Sequence, residues 1–165
     1  MMNARPMTVL FLSTGNAARS LLAEALLRAK GGIRFIARSA GSRPLVAAHS
    51  QTLALLQAEG LSIEGLHAKS WGEFLASAHL MRIDVIVTLS EEARVNCPVP
   101  WPSDPVRVHW PVDDPLSANK ADVMEWKFRK CFATLENRIT TLVRNRAAQS
   151  PAELLLQLKD IAMVV

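Results

Sequence analysis

The chain has 165 residues, is 50% hydrophobic and carries a formal net charge of +4 at pH 7. That is enough apolar residue for one core and one domain over residues 1–165, and no apolar run is long enough to span a bilayer. Basic residues are scattered, Tyr is absent and no basic run interleaves with aromatics, which argues against nucleic acid and for a solvated surface with one focused anion site.

The opening residues lack the apolar region and cleavage site of a signal peptide. Cys97 and Cys131 have neither CxxC nor metal-ligand spacing. The expectation is a cytoplasmic protein with no structural disulfide, metal or cofactor.

Val9 to Leu12 reads as a buried strand. A turn of small residues follows, and then Ala18, Leu21, Leu22, Ala25, Leu26 and Ala29 fall on one helical face. Gly31 and Gly32 end that helix. Ile33 to Ala40 is a second strand, closed by Gly41 and Pro44. A second helix is predicted over Ala47 to Glu59, stopped by Gly60. After a connector, Ser70 is placed to cap a short helix from Trp71 to about Ala78.

Asp84 to Ser90 is β-branched and apolar, as a buried parallel strand should be. A brief helical turn, Glu91 to Asn96, precedes an irregular proline-rich stretch. Val106 to Trp110 is the fourth strand, and Pro111 to Asn119 is a loop holding Asp113-Asp114-Pro115. The longest helix runs from about Asp122 to Arg144, burying a stripe from Met124 to Val143 with its charged residues outward. Pro151 precedes a short final helix, Ala152 to Leu158, and the last five residues either pack or fray. Trp71, Trp101, Trp110 and Trp126 read as packing residues. The alternation implies an α/β fold, a four-stranded parallel sheet with helices on both faces. Ligands of such sheets bind at the carboxyl ends of the strands. Ser13, Ser90 and the Asp113-Asp114 loop all gather at that edge.

A strand that feeds a helix through a tight turn aims several unpaired N–H groups, and the positive end of the helix dipole, at one point. The turn here is Ser13-Thr14-Gly15-Asn16-Ala17-Ala18-Arg19-Ser20, and Arg19 can add a two-pronged clamp for a tetrahedral oxyanion. This stretch resembles the phosphate-binding loop of low-molecular-weight protein tyrosine phosphatases and of thioredoxin-coupled arsenate reductases of the same fold. Those loops open with a nucleophilic cysteine and close with Arg-Ser. Here the opening residue is Ser13.

Two further segments resemble the arsenate reductase branch: Val87-Thr88-Leu89-Ser90 leading to Cys97-Pro98, and His109-Trp110 leading to Asp114-Pro115. The resemblance implies that a loop thiolate attacks bound arsenate. A second thiol then releases arsenite, and a third carries the disulfide to thioredoxin. The matching positions are Ser13, Ser90 and Cys97, of which only the last is a thiol. Asp114 matches the acid that protonates a leaving oxygen, with Asp113 as its competitor. Asn16 matches a loop-shaping residue, and Ser20 is placed to bond Ser13 or to cap the helix.

A serine hydroxyl stays protonated where a thiol would ionise, and it cannot form a disulfide. No histidine partner for Ser13 is evident; His49, His67, His79 and His109 read as surface or strand-end residues. The expectation is a chain that binds phosphate, sulfate or arsenate but does not reduce arsenate by the three-thiol route. Thioredoxin or a phosphoprotein is the implied macromolecular partner. A tyrosine phosphatase-like enzyme and a non-catalytic phosphoprotein-binding module are the alternatives. The serines reflect either substitution to trap a bound state or natural divergence. The drift at Ala17 and Leu22 and the retained cysteines lean toward divergence.

Overall fold

A computed structural model describes residues 5–165. Four strands, β1 (Met7–Ser13), β2 (Phe35–Gly41), β3 (Val85–Thr88) and β4 (Val106–His109), form one sheet in the order β2-β1-β3-β4. Every pairing is parallel, with Leu12 opposite both Ala40 and Thr88. The helices are α1 (Arg19–Lys30), α2 (Ser50–Ala58), α3 (Gly72–Ala76), α4 (Glu91–Asn96), α5 (Ala121–Arg144) and α6 (Pro151–Ala162). No described helix is long and apolar enough to cross a membrane.

β1 is central and covered on both faces, which is why it reads as a continuous apolar run. Val9 and Phe11 pack with α1, α5 and α6, whereas Leu10 and Leu12 pack with Trp101 and the α3 and α4 side. α1 is squeezed between the sheet and α5, so it is buried almost all round from Arg19 to Leu27. Trp110 is fully buried and its indole N–H donates to the Leu158 carbonyl at 2.9 Å, which pins α6 to the core.

Several boundaries differ from the sequence reading. Gly32–Arg34 is a 3₁₀ turn, so β2 begins at Phe35 and Ile33 stands 92% exposed. Gly32 has a φ of +56° that lets the chain reverse here. α2 begins at Ser50, capped by His49, whose Nδ1 accepts from Gln51 N at 3.2 Å and whose ring stacks on Phe128. Ala29 lies outside the packed part of α1. Trp126 is not a packing residue: it is 58% exposed, beside Lys130. Arg138 does not face outward on α5. It is buried and donates to the carbonyls of Pro111, Ala162 and Val164, tying down the C-terminal end. α6 runs on to Ala162, with Ile161 buried.

The chain leaves β1 toward β2 on one side and leaves β3 toward β4 on the other. The carboxyl ends of the adjacent strands β1 and β3 therefore flank the crevice where parallel sheets take their ligands.

Candidate functional site

A cleft of about 450 Å³ opens at that crevice. Its floor is the turn from Ser13 to Arg19, and its walls include Arg43, Leu45, Asp114 and Leu116. Ser13, Asn16, Ala17, Ala18 and Arg19 are all buried. Among the described residues, the backbone N–H groups from Gly15 to Arg19 find no protein acceptor. Unpaired N–H groups in a largely buried turn are costly, and five in succession along a cleft mark a place for an acceptor. The α1 N-terminus adds to this: Ala18 gives it no side-chain cap, and its first turn has no acid.

The turn is held in shape from behind. Asn16 adopts φ +46°, a conformation asparagine tolerates better than most residues. Its Oδ1 accepts from Lys69 N at 2.9 Å, which fixes the orientation of the amide. Its Nδ2 then donates to Ser20 Oγ at 2.7 Å and to Ser39 Oγ at 3.0 Å. Ser20 Oγ lies 2.6 Å from Ser13 Oγ. Ser39 donates in turn to Glu24, whose other oxygen binds Arg28 at 2.7 Å. Lys69 Nζ reaches Ser39 Oγ at 3.2 Å, the His67 carbonyl at 3.0 Å and Glu24 at 3.6 Å. Burial pushes the Lys69 pKa down, with Glu24 opposing that shift.

The front is set by three strand ends. Segment 42–49 lies along the turn, with Ser42, Arg43, Leu45 and His49 donating backbone N–H bonds to the carbonyls of Ser13, Thr14, Gly15 and Ala17. A Cβ on Gly41 would sit 2.7 Å from the Thr14 carbonyl, so this approach requires glycine. Arg19 Nη1 donates to the Val112 carbonyl at 3.1 Å and Nη2 lies 3.4 Å from Asp114 Oδ2. Asp114 caps the following 3₁₀ turn through Leu116 N. Asp114 lines the cleft; Asp113 is exposed on its other side.

Ser90 caps α4 by accepting from Ala93 N at 3.2 Å, and its hydroxyl also lies 3.0 Å from Thr14 Oγ1. Cys97 is half-buried at the other end of α4, its sulfur 3.1 Å from Arg107. Burial pushes its pKa up, against the pull of Arg107. No described histidine bonds Ser13.

Residues 8–152 match the family profile described as low molecular weight phosphotyrosine protein phosphatase. The chain belongs to that family. Within it, the arsenate reductase branch is near. The Halalkalibacterium halodurans arsenate reductase is 31% identical over 137 residues, covering 81% of this chain and 92% of that protein. The Archaeoglobus fulgidus arsenate reductase structure superposes with a TM-score of 0.64 at 28% identity, covering 83% of this chain and 99% of that one. The Corynebacterium glutamicum thioredoxin-dependent arsenate reductase gives a TM-score of 0.64 at 25% identity over 86% of this chain. This chain spans only 62% of the length of that protein. The four-stranded phosphatase-family fold expected from the sequence is thus shown.

Sequence reasoning missed Glu24, Lys69, Arg43 and Leu45 as parts of this site. Glu24 carried a signal. It stands in α1 among Leu21, Leu22, Ala23, Ala25, Leu26 and Leu27, an apolar setting in which a carboxylate needs a partner.

Proposed function

We propose that this phosphatase-family protein binds a tetrahedral oxyanion, phosphate or arsenate, and does not turn it over by thiol chemistry. The observation that carries the reading is the set of unpaired amides from Gly15 to Arg19 around the Arg19 guanidinium, at the floor of one cleft. Donors fixed in advance need no reorganisation when the anion arrives.

Ser13 stands where the family resemblance puts the nucleophile. Its hydroxyl has a hydroxyl neighbour, Ser20, and no base. Ser20 accepts from Asn16 and still has its own proton to offer, so it can donate to an ionised group at the Ser13 position. That contact would stabilise a thiolate, whereas a protonated hydroxyl gains no nucleophilicity from it. Ser90 caps a helix and braces Thr14, and a serine there cannot take over a sulfur–arsenic intermediate. Cys97 alone leaves no redox relay.

Calorimetric titration with phosphate and with arsenate tests the reading. It predicts saturable binding of both, loss of that binding in Arg19→Ala, and no arsenite release with thioredoxin present. Absence of binding, or binding indifferent to Arg19→Ala, overturns it.

A second reading, a phosphate monoester hydrolase, is favoured by the placement of Asp114 beside Arg19. It requires hydrolysis by the chain with Ser13 in place, which an aryl phosphate assay decides.

A further inference from the structure

Arg43 is the second cation of the cleft, and neither the anion cradle nor the family motifs use it. Its backbone is bolted to the cradle: Arg43 N donates to the Thr14 carbonyl at 2.9 Å. Its guanidinium is oriented by Glu92, whose Oε1 lies 3.1 Å from Arg43 Nε. Glu92 Oε2 in turn accepts from Ser42 Oγ at 2.8 Å. Burial works against ionisation of Glu92, but the Thr14 and Ser42 hydroxyls and the charge of Arg43 hold its carboxyl below the usual range.

Pairing through Nε leaves both Nη groups without a protein acceptor among the described residues. The Arg43 side chain is 76% exposed at the cleft mouth. A carboxylate or phosphate is the natural partner for that free two-pronged edge. Leu45 and Leu116 line the same cleft as Arg43 and the turn. Leu45 is itself pressed onto the turn, since a Cβ on Gly15 would meet it at 3.1 Å. One cleft thus holds two cationic or amide anion-binding points and apolar side chains beside them.

We infer that Arg43 makes this site selective for organic phosphate monoesters that carry a second anionic group on the alcohol portion, over inorganic oxyanions and singly anionic esters. The phosphate sits on the Gly15–Arg19 amides, the spacer passes Leu45 and Leu116, and the second group meets the Arg43 Nη edge. A bare oxyanion has only one tetrahedral group and leaves Arg43 idle. This inference rests on the oxyanion-binding reading above.

The test is calorimetry on the full chain at near-physiological salt, with methyl phosphate as the single-anion probe and phosphoglycolate as the double-anion probe. The unsubstituted protein should bind phosphoglycolate tighter than methyl phosphate by about 1.5- to fivefold, the range of one exposed charge pair. Arg43→Ala should bring the two affinities together. Arg129→Ala, which removes an exposed guanidinium paired within α5, should leave the ratio where it was. Equal affinities in the unsubstituted protein, or an equal fall of the ratio in Arg129→Ala, overturn the role of Arg43 while leaving the anion site standing. No binding of inorganic phosphate, titrated alongside, overturns the oxyanion reading and this inference together; phosphate binding without binding of either ester overturns this inference alone.

Discussion

Ser13 Oγ and Ser20 Oγ lie 2.6 Å apart, both buried, at the floor of a cleft whose other donors are backbone amides and Arg19. The pair puts a hydroxyl where a reactive sulfur is expected and keeps the hydrogen-bond donor that such a sulfur would use. On the proposed reading, the turn holds an anion-binding geometry around a hydroxyl instead of a thiol.

Ser13→Cys should therefore create activity. The new thiol meets the α1 N-terminus, Arg19 and Ser20, all of which favour its ionised form. We expect release of p-nitrophenol from its phosphate ester, absent before the substitution. Adding Asp114→Asn should then lower kcat by about 10²- to 10⁴-fold, the usual range for a lost general acid. Steady-state kinetics check both steps.

The native thiols should be sluggish. Cys131 is buried and its pKa is pushed up to about 12 by that burial. Cys97 is raised by burial despite Arg107. Iodoacetamide at neutral pH should label Cys97 slowly and Cys131 not at all, read by mass spectrometry. Ser13→Cys should add one fast site that phosphate protects. Ser13→Cys with Ser90→Cys completes the three thiol positions, and thioredoxin-dependent arsenite release is the result expected of that variant.

Behind the turn, Glu24 and Lys69 are buried side chains at 4% and 8% exposure. Breaking a buried pair leaves an uncompensated charge, so Glu24→Gln should cost about 3 kcal/mol in urea unfolding. Replacing both residues by Met should cost less than the two single changes summed, because they are coupled. Phosphate affinity should fall in Glu24→Gln, because Ser39, which accepts from Asn16, is itself held by Glu24 and the Lys69 Nζ.

At the opposite edge of the sheet, Asp84 accepts from Thr8 N at 2.9 Å and from Arg5. Burial raises its pKa, but Arg5, the Thr8 amide and Arg82 outweigh it, so the net value lies below the usual 3.8. A carboxylate depressed on folding stabilises above its ordinary pKa and loses that effect as pH falls through the folded value. Asp84→Asn should cost about 1.5–3 kcal/mol at pH 7, in line with charged hydrogen bonds. The deficit should shrink as unfolding is measured at successively lower pH below about 4.

Much of this was legible along the chain because it is local. The Val9–Leu12 run, the period-3.6 pattern after Arg19 and the Gly15-containing turn between them specify a βα unit by themselves. Ser90 and Asp114 follow strand ends, and the parallel sheet brings strand ends to one edge. What escaped depends on pairs distant in sequence. Lys69 pairs with Glu24 only after β2 and α2 have crossed over, and Glu92 finds Arg43 only across the β1–β3 crevice. Arg138 reads as an outward charge on α5 until α6 and the C-terminal end close over it. Ile33 has β propensity, but the φ of Gly32 turns it out of the sheet.

The central claim is that the amides of the turn grip a tetrahedral anion without a thiol. A phosphate titration followed by backbone ¹⁵N–¹H spectra tests it residue by residue. The account predicts saturable shifts concentrated at Gly15, Asn16, Ala17, Ala18 and Arg19 in the unsubstituted chain, abolished by Arg19→Ala. Saturation with those five resonances unmoved, or shifts spread over surface lysines and arginines instead, would contradict it.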